Sequence, residues 1–390
     1  MLYTNYTKEI LGLQDAEVEK VCEIEKRIEI TVRLKRKAHI CPFCGRKTEK
    51  IHDYRTQRIK DLPAFGKPVV VILRKRRYDC ECGKHFFEEN SFLGKYQRRT
   101  FRVTKSMLQK LTDVRSYKSV ANEFGVSASN VMRLFKAINF PKPSELPEAL
   151  GIDEFKGNSG KQKYHCILTD LKNGKVIDIL HTRYEKDLID YFKGYDRTKV
   201  KYLVSDMYKT YSEIAKVYFP NAIYIIDRYH WIRQTIWAFE NVRKEVQKKF
   251  NKTHRKYFKK SRKLLLKRAK ELTDEQMQQV NIMLYASADL SNAYFLKESM
   301  YRILDEENPA NQKVMLKEWI EDASDSEIKS FVKCADTYRT WFTPISNSFY
   351  YGYTNGFTEG CNNKIKVLKR NAFGLKKFQM FRNRILTIFS

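Results

Sequence analysis

Two pairs of cysteines constrain this chain more than any other feature. Cys41-Pro-Phe-Cys44-Gly45 and Cys80-Glu-Cys82-Gly83 stand almost forty residues apart. A C-x-x-C turn followed by glycine is a knuckle that lets backbone amides face the thiolate sulfurs, and two such turns joined by strands make a tetrahedral four-thiolate zinc site. The second pair is C-x-C, so His85 is an alternative fourth ligand. Without a metal, four reduced thiols have to be buried as small hydrophobes. The expected module is structural, because four protein ligands leave a zinc ion no open position. The other cysteines (Cys22, Cys166, Cys334, Cys361) are scattered, which does not fit a secreted disulfide scaffold and suits a reducing cytoplasm.

Charge narrows the class of partner. Lys and Arg total 75 against 46 Asp and Glu, a net +29. Such a surplus repels itself unless a polyanion neutralises it, and nucleic acid is the usual one. An anionic membrane surface competes poorly, since the sequence offers neither a bilayer-length apolar run nor a lipidation signal. The start, MLYTNYTKEI, has no apolar core of a secretion signal. A cytoplasmic, nucleoid-associated protein is expected. At 390 residues, two to four domains are expected.

Residues 1–38 carry a helical or mixed pattern ending in a strand-like, basic stretch, and 39 to about 90 reads as short strands and turns. Val69 to Cys80 is a strand with a basic end. Its Arg74, Lys75, Arg76 and Arg77 suggest that the zinc module touches DNA, with Arg74 and Arg76 the candidate contacts. Residues 100–140 are helical, and Pro141, Pro143 and Pro147 mark a boundary. Three strands follow, the last two joined by an Asn173-Gly174 hairpin turn. Then helix and strand alternate to residue 227, the pattern of a mixed α/β sheet. Residues 228–345 are helical and in part intensely basic. From Thr354 a helix carrying Glu359 is expected, then a break at Gly374 and a last amphipathic helix.

Ser116 to Ile138 has helix-turn-helix spacing: Ala121 at the tight contact, Gly125 at the turn, Val131 packing back. Ser127 is expected to cap the second helix, whose Ser129, Asn130 and Arg133 then face the DNA groove. An ordinary helical hairpin is the bland alternative.

Three acids complete the pattern. Asp153 lies on the first strand of the mixed sheet, Asp206 ends another, and Glu359 sits on the late helix. Strand-borne carboxylates hold divalent ions in fixed geometry, and two Mg2+ ions can activate an attacking oxygen and stabilise a leaving one. Singly, each acid is an ordinary cap or surface residue. Asp227 and His230 stand three apart where a strand gives way to a helix. His230 is a candidate to touch a phosphate or the metal-bound water, or else a structural residue bonded to Asp227.

Together these motifs resemble the ISL-3-type family of bacterial insertion-sequence transposases over nearly the whole chain. The resemblance rests on the two cysteine pairs, the helix-turn-helix, GIDEF, SDMY, DRYH and NGFTEGCNNKIKVLKR in order. It implies a multidomain α/β protein: an RNase H-like mixed sheet with an all-α insertion, behind the zinc-binding module and the helix-turn-helix. The expected division is 1–38 as an N-terminal segment, 39–95 as the zinc module and 96–145 as the helix-turn-helix. Residues 146–235 with 350–390 form the catalytic domain and 236–349 the insertion. Asp153, Asp206 and Glu359 are then ligands for Mg2+ or Mn2+. Lys364, Lys366, Lys369 and Arg370 grip DNA beside the scissile phosphate. The implied partner is double-stranded DNA, the element's terminal inverted repeats and its target, bound by a homodimer or larger assembly. The rival readings are a DNA-binding regulator without catalysis and a metal-dependent nuclease that cuts without joining.

Overall fold

The computed structural model describes residues 12–13, 16–260, 262–372 and 375–390. The expected break at Gly374 lies outside the described residues. The chain forms two compact units. One comprises Met1–Phe140, Lys366–Leu375 and Asn383–Ser390; the other comprises Pro141–Ile365 and Lys376–Arg382. Among the described residues no helix is long and apolar enough to cross a membrane.

The first unit is built on strands β1 (Ala16–Ile24), β2 (Arg27–Leu34), β3 (His39–Ile40), β4 (Lys47–Thr48), β5 (Ile51–Ala64), β6 (Lys67–Asp79) and β7 (His85–Phe87). The sheet order is β1-β2-β6-β5, with β7 on β6; β2 and β6 run parallel and the other pairs antiparallel. Of the helical or mixed pattern expected over 1–38, residues 1–11, 14 and 15 lie outside the described residues, 16–24 is corrected to a strand, and the strand-like basic stretch falls on β2. Residues 16–34 are a hairpin in which Glu19, Lys20, Glu23, Glu25 and Lys26 are exposed while Glu29 is buried, and charge on the outer face of a strand resembles charge on a helix. The texture of short strands is also corrected, since β5 and β6 are 14 and 13 residues long. β-branched Val69, Val71 and Ile30 favour extended backbone and join Leu73, Val32 and Ile59 in the core.

Helices α1 (Phe101–Gln109), α2 (Tyr117–Glu123) and α3 (Ala128–Lys136) follow in the same unit. Ser116 Oγ accepts from Ser119 N at 3.0 Å and Ser127 Oγ from Asn130 N at 3.3 Å, so each of the last two helices starts at a serine cap. Ala121, Val131 and Phe135 are buried where they pack.

The second unit holds β8 (Ala149–Ser159), β9 (Gln162–Asp170), β10 (Lys175–Leu180), α4 (Glu185–Phe192), β11 (Tyr202–Ser205), α5 (Lys209–Tyr218) and β12 (Ile223–Ile226). Its sheet order is β10-β9-β8-β11-β12. The first three strands are antiparallel, and β11 runs parallel to both β8 and β12. This is the mixed α/β sheet expected from the alternation of elements. Helices α6 (Arg228–Lys248), α7 (Lys252–Lys260), α8 (Arg262–Leu266), α9 (Asp274–Tyr285), α10 (Ala288–Asp305), α11 (Pro309–Asp325), α12 (Lys329–Thr340) and α13 (Phe342–Tyr350) follow. They share an apolar core that includes Trp231, Phe239, Trp319 and Tyr338. The last two helices are α14 (Gly356–Asn371) and α15 (Phe378–Phe389).

Candidate functional site

The zinc knuckles form as the glycines allow. Gly45 and Gly83 adopt φ of +72° and +75°, and their amides donate to the carbonyls of Cys41 and Cys80 at 3.0 and 2.8 Å. The ligand atoms of Cys41, Cys44, Cys80 and Cys82 all lie within 4.8 Å of one another. Cys41 Sγ is 3.8 Å from Cys82 Sγ, and Cys44 Sγ is 3.5 Å from Cys80 Sγ. Zn–S bonds of ~2.3 Å in a tetrahedron require sulfurs about 3.8 Å apart, so the quartet fits a structural zinc ion. His85 is not needed as a substitute, since its Nδ1 faces Asp79 Oδ1 at 3.3 Å.

Two residues expected to face DNA are placed otherwise than expected. Arg76 is buried: Nη1 donates to Leu34 O at 2.9 Å and to Glu88 Oε2 at 3.1 Å, while its own amide donates to Glu88 Oε1 at 2.8 Å. The buried face of β6 changes along its length. Val69, Val71 and Leu73 are buried where β2 lies alongside; beyond Leu34 the burial passes to Arg76 and Tyr78. Arg74, two residues earlier, stays exposed with its guanidinium 4.3 Å from the Tyr54 ring centroid. Asn130 is half-buried rather than exposed, and its Oδ1 accepts from Arg99 Nη1 at 2.9 Å. Ser129 and Arg133 are exposed as expected.

In the second unit Asp153 sits in mid-strand on β8, opposite Ile167 of β9, and Asp206 directly follows β11. Burial pushes Asp153 up to about 7. The Glu154 amide, which Asp153 Oδ1 accepts at 2.7 Å, works against this, while Asp206, Glu154 and Asp227 add to it. Burial likewise lifts Asp206 to about 6, with His230 opposing and Glu154 reinforcing. Asp206 Oδ1 is buried with no hydrogen-bond partner. The sheet has thus gathered negative charge in a poorly hydrated place, where either a proton or a cation lowers the energy.

Helix α14 and Asn355, the residue before it, are fastened to this place. Asn362 Nδ2 donates to Asp153 Oδ2 at 2.8 Å, Asn355 N to Asp227 Oδ1 at 2.8 Å, and Asn355 Nδ2 to the Ile152 carbonyl at 3.2 Å. Gly151 permits the approach, because a Cβ there would meet Thr169 Oγ1 at 2.4 Å and Asn355 Oδ1 at 3.0 Å. Glu359 lies in the first turn of α14 and is exposed. The three acids do not close to ligand distance of one another; among the described residues the cysteine quartet is the one group that does. His230 is half-buried, with Nε2 4.0 Å from Asp227 Oδ2, a loose pairing. Further along α14, Lys364 and Lys369 are half-buried and Lys366 and Arg370 exposed.

Sequence reasoning missed Asn355 and Asn362, and gave no role to Glu154, which pairs with Arg183. Asn362 was findable: it stands three residues after Glu359, on the same helical face. Its Oδ1 is buried and without a partner, like that of Asp206.

The family model for DDE transposases of the ISL3 group, described as "Transposase", matches residues 150–385. A second, "zinc-finger of transposase IS204/IS1001/IS1096/IS1165", matches 37–83. The transposase for insertion sequence element IS1001 of Bordetella parapertussis is 27% identical over 379 residues, covering 93% of this chain and 92% of that protein. A Lactococcus lactis protein named ATP-dependent protease is 44% identical over 50 residues, 13% of this chain and 16% of its own length. That stretch is too short to carry an activity across.

Proposed function

This chain belongs to the ISL3 family of transposases, and on that premise we propose that it binds the terminal inverted repeats of an insertion sequence and performs metal-dependent DNA strand cleavage and strand transfer. The observation that carries the reading is the Asp153–Asp206 pair: Asp153 buried on β8 and Asp206 half-buried just past β11, both lifted toward neutrality, the latter with a buried oxygen that has no partner among the described residues.

An all-oxygen donor set of this kind fits a hard divalent ion, with Asp153, Asp206 and Glu359 as the residues that would hold Mg2+ or Mn2+. Two bound ions supply activation of the attacking oxygen and stabilisation of the leaving one. The chain's own groups do the positioning. Asn362 orients Asp153 through its Oδ2, and Asp227 anchors the backbone of Asn355, four residues before Glu359. His230, beside Asp206, is suited to bind a phosphate oxygen. The strand order, three antiparallel strands then two parallel, supports an RNase H-like catalytic domain, with the helices after β12 as its insertion.

Residues 117–136 act as a helix-turn-helix, with Ser129 and Arg133 toward the groove and Asn130 held in place by Arg99. Arg74, Lys364, Lys366, Lys369 and Arg370 supply phosphate contacts and most of the affinity. Two ends must be processed together, so the working form is a homodimer or larger assembly on DNA.

The test is a cleavage and joining assay on duplexes carrying the element ends, with Mg2+ or Mn2+. Wild type should cut and join, while Asp153→Asn and Glu359→Gln bind the same DNA and do neither. Tight binding with no chemistry in the wild type refutes the reading.

A further inference from the structure

Helix α6 carries an open cleft that none of these roles uses. Tyr229, Ile232, Arg233, Ile236, Trp237 and Lys244 line it, and its volume is about 450 Å³. The spacings of three and four residues put these side chains on one helical face. The other side of α6 supplies Trp231 and Phe239, both fully buried, to the helical core. Tyr229 and Trp237, by contrast, are 50% and 47% exposed.

The exposed rings are arranged. The Arg233 guanidinium lies between them, 4.4 Å from the Trp237 ring centroid and 5.6 Å from that of Tyr229. Glu240 sets the depth of the cleft. It is buried, and its carboxylate accepts from Arg243 Nε and Arg262 Nε, each at 2.7 Å. Its charge is thereby matched from within, and Arg233 and Lys244 form no ion pair among the described residues. The cleft therefore offers an aromatic platform, an aliphatic wall and an unneutralised basic rim.

That combination recognises a flat ring covalently attached to an anion. A paired base cannot enter, because both its faces are covered in the duplex; an unpaired one can, since stacking on an aromatic returns much of what unstacking costs. We propose that the α6 cleft holds an unpaired base of the DNA strand under processing. The inference rests on the transposase reading above and adds a second substrate contact to it. The location fits. Tyr229 adjoins His230, and Trp237 lies eight residues, ~12 Å, further along the helix. That distance corresponds to about three or four nucleotides of duplex rise.

The experiment uses the full chain and fluorescent duplexes of the element end, read by anisotropy. Near the cleavage position each duplex is fully paired, carries one unpaired thymidine, or carries one unpaired abasic residue. Wild type should bind the thymidine bulge at least about fivefold tighter than either other duplex. Trp237→Ala should lose that preference while binding paired DNA as before, and Trp237→Phe should keep most of it. Equal affinity for thymidine and abasic bulges overturns the inference, because flexibility alone then explains any gain. So does a preference that survives in Trp237→Ala. A Trp237→Ala protein that loses only self-association makes the cleft an interface between copies and likewise overturns it. Asp153→Asn should retain the preference, so a failure of the catalytic assignment is read separately, as cutting by that variant.

Discussion

Arg74 and Arg76 are two residues apart on one strand, and replacing each with alanine should damage different properties. Arg76→Ala leaves the Glu88 carboxylate, whose side chain has no solvent exposure, with only the backbone amide of residue 76. It also takes the donor from the Leu34 carbonyl. Removing one partner of a buried ion pair costs about 3–5 kcal/mol, a large share of the ~5–15 kcal/mol that holds a domain folded. Arg74→Ala removes an exposed guanidinium resting on Tyr54, a change expected to stay within about 0.5 kcal/mol. Urea unfolding of the full chain measures the first quantity. The slope of log affinity against log salt on element-end DNA measures the second. Arg74→Ala should flatten that slope by about 0.9, one phosphate contact, and leave the unfolding midpoint in place. Arg76→Ala should move the midpoint and, at a temperature where it remains folded, leave the slope alone. A stable Arg76→Ala protein with a flattened slope would refute the argument and restore Arg76 as a DNA contact.

Other outcomes follow from the same geometry. The fold favours protonated Asp153, so its contribution to stability is complete below the ordinary carboxylate range and is lost as pH rises through about 7. In metal-free protein Asp153→Asn should therefore gain more unfolding free energy at pH 8 than at pH 5, by at most about 3 kcal/mol; equal gains at both would show the carboxylate is not strained. Cys44→Ser should lower the zinc content measured by mass spectrometry from one ion per chain, whereas His85→Ala should leave it unchanged. Arg384 is buried against Tyr117 and Phe135 and donates to the Leu111 and Arg115 carbonyls. Arg384→Ala should cost about 2–4 kcal/mol of unfolding free energy and weaken end binding on warming, and a neutral outcome would show that those carbonyls find water instead.

What could be read from the sequence was local. The zinc knuckles, the Ser127 cap, the strand holding Asp153 and the one leading into Asp206 each depend on a few adjacent residues, and each formed where the pattern put it. Contacts that depend on distant chain segments were not legible. Nothing near Arg76 announces Glu88, because burial on β6 changes side only where β2 ends. Asn130 was expected to be exposed on its helix, and only the position of Arg99 makes it half-buried and bonded. Strand β1 was obscured by charge, since Glu17, Glu19, Lys20 and Glu23 along a strand imitate the polar face of a helix. The α6 cleft was hidden for the opposite reason: aromatic residues at helical spacing are usually core, and Trp231, six residues from Trp237, is core.

The fastening of Asp153 by Asn362 spans 209 residues of chain, and that of Asp227 by Asn355 spans 128. At a synthesis rate of ~5–20 residues per second, Asn362 is made about 10–40 s after Asp153. During that interval both strand-borne acids are made while the helix carrying Glu359 is not, and the first unit likewise waits for Lys366–Leu375 and Asn383–Ser390. A ribosome-bound chain therefore completes neither unit until its last residues are made. Prematurely ended copies therefore lose the fastening of Asp153 and the Arg384 contacts of the first unit together.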